Sequence, residues 1–277
     1  MILVTGATGK IGSGLVEALV QSGADIRVFV RDPARAQRWG DRVDVARGDL
    51  DHPDTIAPAL VGIERLFMLG RSPQQDAALV RAATEAGVRH VVMLSSGGVP
   101  YEVASGALPK TGEEMLRASP LSWTVLHPYE FMSNALWWAP SIRGGGVIVD
   151  CSGSGRHAMI DPGDIAAVAA KVLTSSGHEG QTYVLTGPEA ISRSDMARWI
   201  GSRVGKEVRH VDEQADNYRE MMTNLGAPPD AVEPLIAFLL MVRAGELEQV
   251  SPEVERLTGR PPRAFVDWLE VNAAAFS

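Results

Sequence analysis

Residues 1–12 read MILVTGATGKIG, a short apolar run that breaks into glycines at every third position. Met1 to Thr5 has the length and character of a strand buried on both faces. Gly6 turns the chain out of that strand, Gly9 leaves backbone N–H groups open to a pyrophosphate, and Gly12 lets a following helix lie close to the strand. That helix is legible in Ile11, Leu15, Leu19 and Val20, which share one face, and Gly23 stops it. A second apolar run follows at Ile26 to Val30 (IRVFV). A strand, a glycine turn, a helix and a strand within about 30 residues form the βαβ context that a dinucleotide-binding glycine motif requires. The positive end of the helix then faces the phosphates.

Outward from this unit the alternation continues. Strands are expected at Val43–Ala46, Arg65–Leu69, His90–Leu94 and Trp123–Leu126. Helices are expected from Asp51 and Pro53 to near Gly62, over Gln74–Ala86 and over Thr111–Ala118. Alternating strands and helices, with strands apolar on both faces, predict an α/β fold: a Rossmann-type, doubly wound parallel sheet in the order 3-2-1-4-5-6. After about Pro140 the pattern changes. A glycine-rich stretch contains a short strand at Val147–Val149, Asp164 is read as capping a helix over Ile165–Leu173, and Gln181–Thr186 reads as a strand. Ser192 or Ser194 starts a helix running through Val204, and the remainder reads as polar and helical with proline breaks. The expected organisation is a dinucleotide-binding core at 1–140. Residues 141–277 are expected to be mainly a small, mostly helical substrate-binding region over the carboxyl edge, with some segments returning to the sheet.

Composition narrows the function classes. Of 277 residues 45% are hydrophobic, enough for a full core, and the net charge of −8 argues against nucleic acid or an anionic membrane as a partner. The acidity is concentrated late, with 13 Asp/Glu against 7 Lys/Arg from Lys206 onward. Cys151 is the single cysteine and the six histidines lack metal spacing, so neither a disulfide within the chain nor a metal is expected. A strand that begins at Ile2 leaves no room for a signal peptide, and the longest apolar run, Leu235–Val242, is too short for a bilayer. The expectation is a soluble cytoplasmic protein, monomer or homodimer, that acts on a small molecule.

The end of the second strand bears on the choice of cofactor. An NAD site places a carboxylate there for the ribose 2′-hydroxyl. Here Arg31 comes first, then Asp32, with Arg35 nearby and Lys10 in the glycine loop. Three cations around a 2′-phosphate favour NADP(H) over NAD(H), and Arg31 has the planar fork suited to it. Asp32 leaves the NAD reading open. Asp49 and Leu50 end the third strand, where the adenine edge would lie, although Asp49 also reads as a turn residue.

The stretches TGATGKIG, VRDPAR, GDLDHP, VVMLSS, GEEMLRASPLSWTVLHPYEFMSNAL and LTGRPPRAFVDWL resemble the NmrA-like atypical short-chain dehydrogenases/reductases, and most of all their NAD(P)H:quinone oxidoreductase-like and azoreductase-like branch. The resemblance runs from Met1 to about Phe276. It implies cofactor contacts at Gly6, Thr8, Gly9, Lys10, Ile11, Arg31, Asp49, Leu50, Leu69, Gly70, Ser95, Ser96 and Pro128. Asn134 matches the Asn that closes the family's R-P-x-x-F-x-x-N pattern, whereas His127 stands where that pattern has Arg.

The Tyr-x-x-x-Lys pair of classical short-chain dehydrogenases, in which Lys lowers the Tyr pKa, is absent. The residues four on from Tyr101, Tyr129, Tyr183 and Tyr218 are Ser105, Ser133, Gly187 and Met222. Two readings follow: a reductase of a quinone or other conjugated, planar acceptor, which needs little acid catalysis, or a non-catalytic NADP(H)-binding redox-sensing regulator of the NmrA-like kind. An aromatic natural-product intermediate is one acceptor that would suit the first. Candidate catalytic groups are Tyr129, which also reads as packing, His127, which also reads as a hydrogen-bonded core residue, and Lys110, which also reads as a surface lysine. Gly97, Tyr101, Phe131, Asn134, Trp137 and Trp138 are the expected pocket residues, with Met221 and Met222 as part of a lid. The cofactor expectation is directly measurable. NADPH should bind at least several-fold tighter than NADH, and Arg31→Ala should weaken NADPH far more than NADH. Equal affinities of the unaltered protein for the two, by fluorescence titration, would contradict it.

Overall fold

In the computed structural model, residues 1–99 and 104–277 are described, with side chains for all of these except 104–108. Six strands alternate with helices as the periodicity predicts. They are β1 (Ile2–Val4), β2 (Ile26–Val30), β3 (Asp44–Arg47), β4 (Arg65–Met68), β5 (His90–Leu94) and β6 (Ser122–Pro128). The intervening helices are α1 (Lys10–Gln21), the short α2 (Ile56–Ala59), α3 (Pro73–Glu85) and α4 (Ala104–Ala118). All neighbours in the sheet are parallel and the order is 3-2-1-4-5-6, extended beyond β6 by a seventh strand from the later half of the chain.

That half supplies α5 (Ala139–Gly145), β7 (Val147–Asp150), β8 (Arg156–His157), α6 (Pro162–Thr174), β9 (Gln181–Leu185), β10 (Ile191–Ser192) and α7 (Arg193–Val204). Then come β11 (Arg209–Asp212), α8 (Ala215–Asn224), α9 (Pro229–Arg243), α10 (Glu253–Thr258) and α11 (Phe265–Asn272). Strand β9 is the seventh strand of the sheet, and α6 packs against α1 on one of its faces. Strands β7 and β11 form a separate parallel pair, and β8 and β10 an antiparallel one.

The inner strands β1, β2, β4, β5 and β6 are covered on both sides, which is why they carry apolar runs, whereas the edge strand β3 is mostly exposed. Val4, Val28, Phe67, Val92 and Leu126 face α1 and α6, while Leu3, Phe29, Leu66, Met68, Val91 and Val125 face α2, α3 and α4. A third core joins α5, α7 and α11 around Ile142, Ile200 and Phe265. No helix among the described residues is long and apolar enough to cross a membrane.

Local chemistry explains the helix starts. Ser72 caps α3 by accepting from Gln75 N–H at 3.2 Å, and Ser192 with Asp195 forms a capping box on α7. Helix α6 begins earlier than expected. Asp161, not Asp164, is its cap and accepts from Gly163 N–H at 2.8 Å, because Pro162 takes the first helical position. Asp164 instead receives the backbone N–H of Arg263 at 2.7 Å. The segment read as polar and broken also differs: α9 starts at its proline and carries Val232, Ile236, Leu239 and Val242 inward.

Helix α1 starts differently from α3, α6 and α7. Gly9 precedes it without any side-chain cap, and its first turn has no acidic residue. A Cβ added at Gly12 would lie 2.1 Å from the Gly6 carbonyl oxygen, so only glycine allows α1 to approach the β1 turn this closely. Gly12→Ala should therefore destabilise the fold by about 1–3 kcal/mol or more, measured by urea unfolding. Gly144→Ala, where an added Cβ meets nothing within 4 Å, should stay within about 0.5 kcal/mol. Equal stability of the two variants would show that the turn can relax around a methyl group.

Candidate active site at the carboxyl edge of the sheet

The ends of β1, β2, β4, β5 and β6 converge on one edge of the sheet. At its centre Thr5 ties β1 to β4: its hydroxyl donates to Phe67 O at 3.1 Å and accepts from Leu69 N–H at 2.8 Å. Gly6 follows with φ of 64°, a left-handed conformation that favours glycine. The N–H groups that start α1 have no side-chain cap at this edge, and the first turn of the helix holds no acidic residue. A 12-residue helix with an uncapped start and no acid in its first turn fits a pyrophosphate. Thr8, Gly9 and Lys10 lie at this turn, and the Ile11 side chain is buried in the core, leaving only its backbone for a ligand.

At the end of β2, Arg31 and Arg35 are exposed and make no ion pair with the described residues. Asp32 is used locally, accepting from Ala34 N–H at 3.0 Å to cap the 3₁₀ turn Pro33–Arg42. Its side chain thus has a structural task that competes with holding a ribose. Lys10 does not join the two arginines. Its ammonium reaches Ser133 Oγ at 3.4 Å, beyond the end of β6, on the opposite side of β1 from Arg31. Asp49 receives Asp51 N–H at 3.2 Å and Leu50 packs on the sheet core.

On the β5–β6 side the Ser95 hydroxyl donates to Glu113 of α4, whose Oε1 also meets His127 Nε2 at 2.6 Å. Burial favours the neutral acid at Glu113, but hydrogen bonds from His127, Ser95 and Arg117 outweigh it and hold the pKa below the ordinary value. With its proton committed to a carboxylate, Ser95 presents lone pairs. His127 is 4% exposed and does not line the adjoining cavity. It is a hydrogen-bonded core histidine at the position where the family pattern has Arg. Lys110, half-buried on α4, does not line the cavity either.

That cavity measures about 530 Å³. One wall is Ser95, Ser96, Gly97 and Gly98 after β5, with Pro128, Tyr129, Phe131, Asn134 and Trp137 after β6. Its outer wall is apolar: Met222 of α8, and Leu235, Phe238 and Met241 of α9. Gly97 is glycine for a local reason. A Cβ there would sit 2.5 Å from Tyr129 Cδ1, so the Tyr129 ring lies against bare backbone. Glu130 and His157 also line it.

The model of the NAD(P)H-binding family matches residues 6–176. The chain belongs to that family.

Within it, the chain is 35% identical to an NAD(P)H azoreductase of Xenophilus azovorans, over 100% of this chain and 99% of the relative. It is 36% identical, with the same coverage of each, to a (4-alkanoyl-5-oxo-2,5-dihydrofuran-3-yl)methyl phosphate reductase of Streptomyces griseus. Among solved structures, an NADPH-dependent quinone oxidoreductase of Escherichia coli in complex with NADPH superposes with a TM-score of 0.90. Its sequence identity is 26%, covering 98% of this chain and 99% of that one. The resemblance to the quinone- and azo-reducing branch, read from motifs, holds over the full length.

The structure brings most of the expected site residues of this family member to one edge, with exceptions. Trp138 is not a cavity wall: its ring stacks on the Arg193 guanidinium at 4.5 Å and packs with the third core. Met222 lines the cavity and Met221 does not. Tyr101 lies outside the described residues. Glu130, His157 and the α9 side chains were not anticipated. Nothing in the local sequence marks them, because Glu130 finds its partners His157 and Arg193 27 and 63 residues away.

Asp76 was also unforeseen. It is 4% exposed, its Oδ1 has no hydrogen-bond partner among the described residues, and it sits against Gly70 and Gly112, where an added Cβ would meet its oxygens at 2.0 and 2.3 Å. Burial pushes its pKa from 3.8 up to about 6. Between those two values the folded chain keeps a proton that the unfolded chain has released, so stability falls as pH rises through this window and stays lower above it. Asp76→Asn, neutral throughout, should lack that fall. Its stability relative to the parent should improve by about 2 kcal/mol between pH 4 and pH 8 in urea unfolding. A difference independent of pH would contradict the assignment.

Proposed function

We propose that this NAD(P)H-dependent oxidoreductase uses NADPH to reduce a quinone or another conjugated, planar small molecule. The observation that carries the reading is the apolar cavity of about 530 Å³ opening on the Ser95–Gly98 loop and on Pro128–Tyr129, at the carboxyl ends of two central strands, where ligands of open α/β sheets bind. The same cavity favours a reductase over a purely regulatory cofactor binder, which has no need of a second pocket beside the dinucleotide. The named activities of the quinone oxidoreductase and azoreductase relatives agree with it.

In this reading residues 1–140 hold the dinucleotide, and the later segments, chiefly α8 and α9, close over the acceptor. The α1 amides hold the pyrophosphate, and Arg31 and Arg35 meet the 2′-phosphate. NADPH supplies the hydride. Ser95, oriented by Glu113, accepts from donor groups of the cofactor. Phe131, Trp137 and Phe238 form the apolar walls around the flat acceptor, and their packing excludes water. Tyr129 stands beside the acceptor at the mouth of β6, while His127 and Lys110 lie off the cavity and take no proton-transfer role.

The absence of a Tyr-x-x-x-Lys pair follows from the acceptor. Reducing an isolated ketone puts nearly full charge on one oxygen, where a positioned acid contributes about 10²–10⁴-fold. A conjugated acceptor spreads that charge, and water or a weak donor suffices. The protein should therefore oxidise NADPH with naphthoquinones and leave simple aliphatic ketones almost untouched. Tyr129→Phe should cost less than about tenfold in kcat, in keeping with a packing role. Efficient reduction of an aliphatic ketone, or no NADPH oxidation across a broad panel of quinones and enones, would overturn the proposal.

A further inference from the structure

The apolar cavity has one charged wall, and that wall is built with unusual care. Glu130 follows Tyr129, and its backbone carbonyl receives Ile160 N–H at 2.9 Å, fixing the segment against the chain after β8. Its carboxylate Oε2 accepts from His157 Nε2 at 2.6 Å and from Arg193 Nη2 at 3.0 Å. Arg193 is 1% exposed and held on three sides: Nε on Asp150 at 2.9 Å, Nη2 on Glu130, and its plane on the Trp138 ring. Burial works toward the neutral form of Glu130, but the Arg193 charge and the His157 hydrogen bond prevail and bring its pKa down to about 2. The carboxylate is ionised at every working pH.

Two features make this wall a binding surface and not merely a brace. First, Glu130 Oε1 accepts no hydrogen bond from the described residues, although Glu130 lines the cavity. Second, His157 also lines it, and its Nδ1 is buried with no partner among the described residues. Because Nε2 faces an ionised carboxylate, it carries the proton, and burial together with the neighbouring Arg193 lowers the His157 pKa, so the ring is neutral and Nδ1 is an acceptor. The wall therefore offers acceptor atoms, and Arg193, which does not line the cavity, has Nε and Nη2 turned to Asp150 and Glu130. Two buried carboxylates, Glu130 and Asp150, also share one guanidinium. A buried acceptor left unmatched is costly, and a ligand donor removes that cost.

We propose that Glu130 is a specificity-determining residue of this cavity, anchoring a hydrogen-bond-donating substituent, a protonated amine in preference to a hydroxyl, on the otherwise flat and apolar acceptor. The inference rests on the acceptor occupying the cavity, as in the proposed function. It divides recognition in two: the walls take the conjugated body, and Glu130 selects which conjugated bodies are bound well.

The test uses three 2-alkyl-1,4-naphthoquinones with side chains of equal length ending in ammonium, hydroxyl or methyl. Binding to the full chain saturated with NADP⁺ is measured by calorimetry, since the substituents also alter the quinone's own reactivity. The ammonium compound should bind about tenfold tighter or more than the methyl compound, with the hydroxyl compound between them. Glu130→Gln, which keeps the shape and removes the charge, should bring the three to within about threefold. A methyl compound that binds as tightly as the ammonium compound overturns the inference, and this ranking decides even if the variant does not fold. An ammonium preference that survives in Glu130→Gln overturns it too. Turnover of the methyl compound with NADPH reports on the reductase reading separately. Turnover with a flat ranking rejects the anchor alone, whereas a steep ranking without turnover rejects the reductase and leaves the anchor.

Discussion

Helix α1 can begin where it does only because position 12 lacks a side chain. With the Gly6 carbonyl 2.1 Å from where a Gly12 Cβ would stand, the helix and the β1 turn meet backbone to backbone. The rest of the carboxyl edge depends on that approach. It brings uncapped amides to the centre of the sheet, and the absence of any acid in the first turn leaves their partial positive charge unopposed. Thr5 then ties β1 to β4, so the edge is a rigid line along which a dinucleotide can extend from the β2 end to the β5–β6 end.

Polar groups on the β6 side of that line fall into two sets. Ser95, Glu113, His127 and Arg117 satisfy one another within the protein, and their effect at the surface is to fix one hydroxyl as an acceptor. Glu130, His157, Arg193, Asp150 and His210 form a longer chain beneath the cavity. Burying such charges contributes little net stability, because desolvation offsets most of the attraction. The fold has extensive apolar cores besides, and in the proposed reading these charges serve what the cavity binds. The outer wall, α9, is apolar on that side and on the side facing its own small core with Cys151 and Tyr218.

Much of this was legible in the chain because it is governed by local rules. Glycine spacing gave the turn, continuous apolar runs gave strands buried on both faces, and their alternation with helices gave the sheet order. Where two local rules compete the reading slipped by a few residues: Asp164 looked like a cap, but Asp161 before Pro162 satisfies the stronger pattern. Contacts between distant parts of the chain were less accessible. The sequence does mark Gln181–Thr186 as a strand, but only the folded chain shows β9 beside β6, where Leu185 O receives Tyr129 N–H at 3.0 Å and positions the cavity mouth. Trp137 and Trp138 look equivalent in the sequence, yet the first is 65% exposed at the cavity and the second lies under Arg193. Lys10 belongs to the glycine loop by position, but its long side chain is drawn across the edge to Ser133. Glu130 had no local signature because everything that defines it comes from β8 and α7.

In the proposed reaction a dinucleotide held along this edge and a flat acceptor held in the adjoining cavity exchange hydride directly, face to face. The most direct measurement is the fate of deuterium placed on one or the other face of the nicotinamide C4 of NADPH during turnover with a naphthoquinone. Direct transfer requires complete loss of deuterium from one face, full retention from the other, and a primary isotope effect only for the face that is lost. Loss from both faces alike, or oxidation without any isotope effect under single-turnover conditions, would contradict a cofactor and acceptor fixed against each other by this fold.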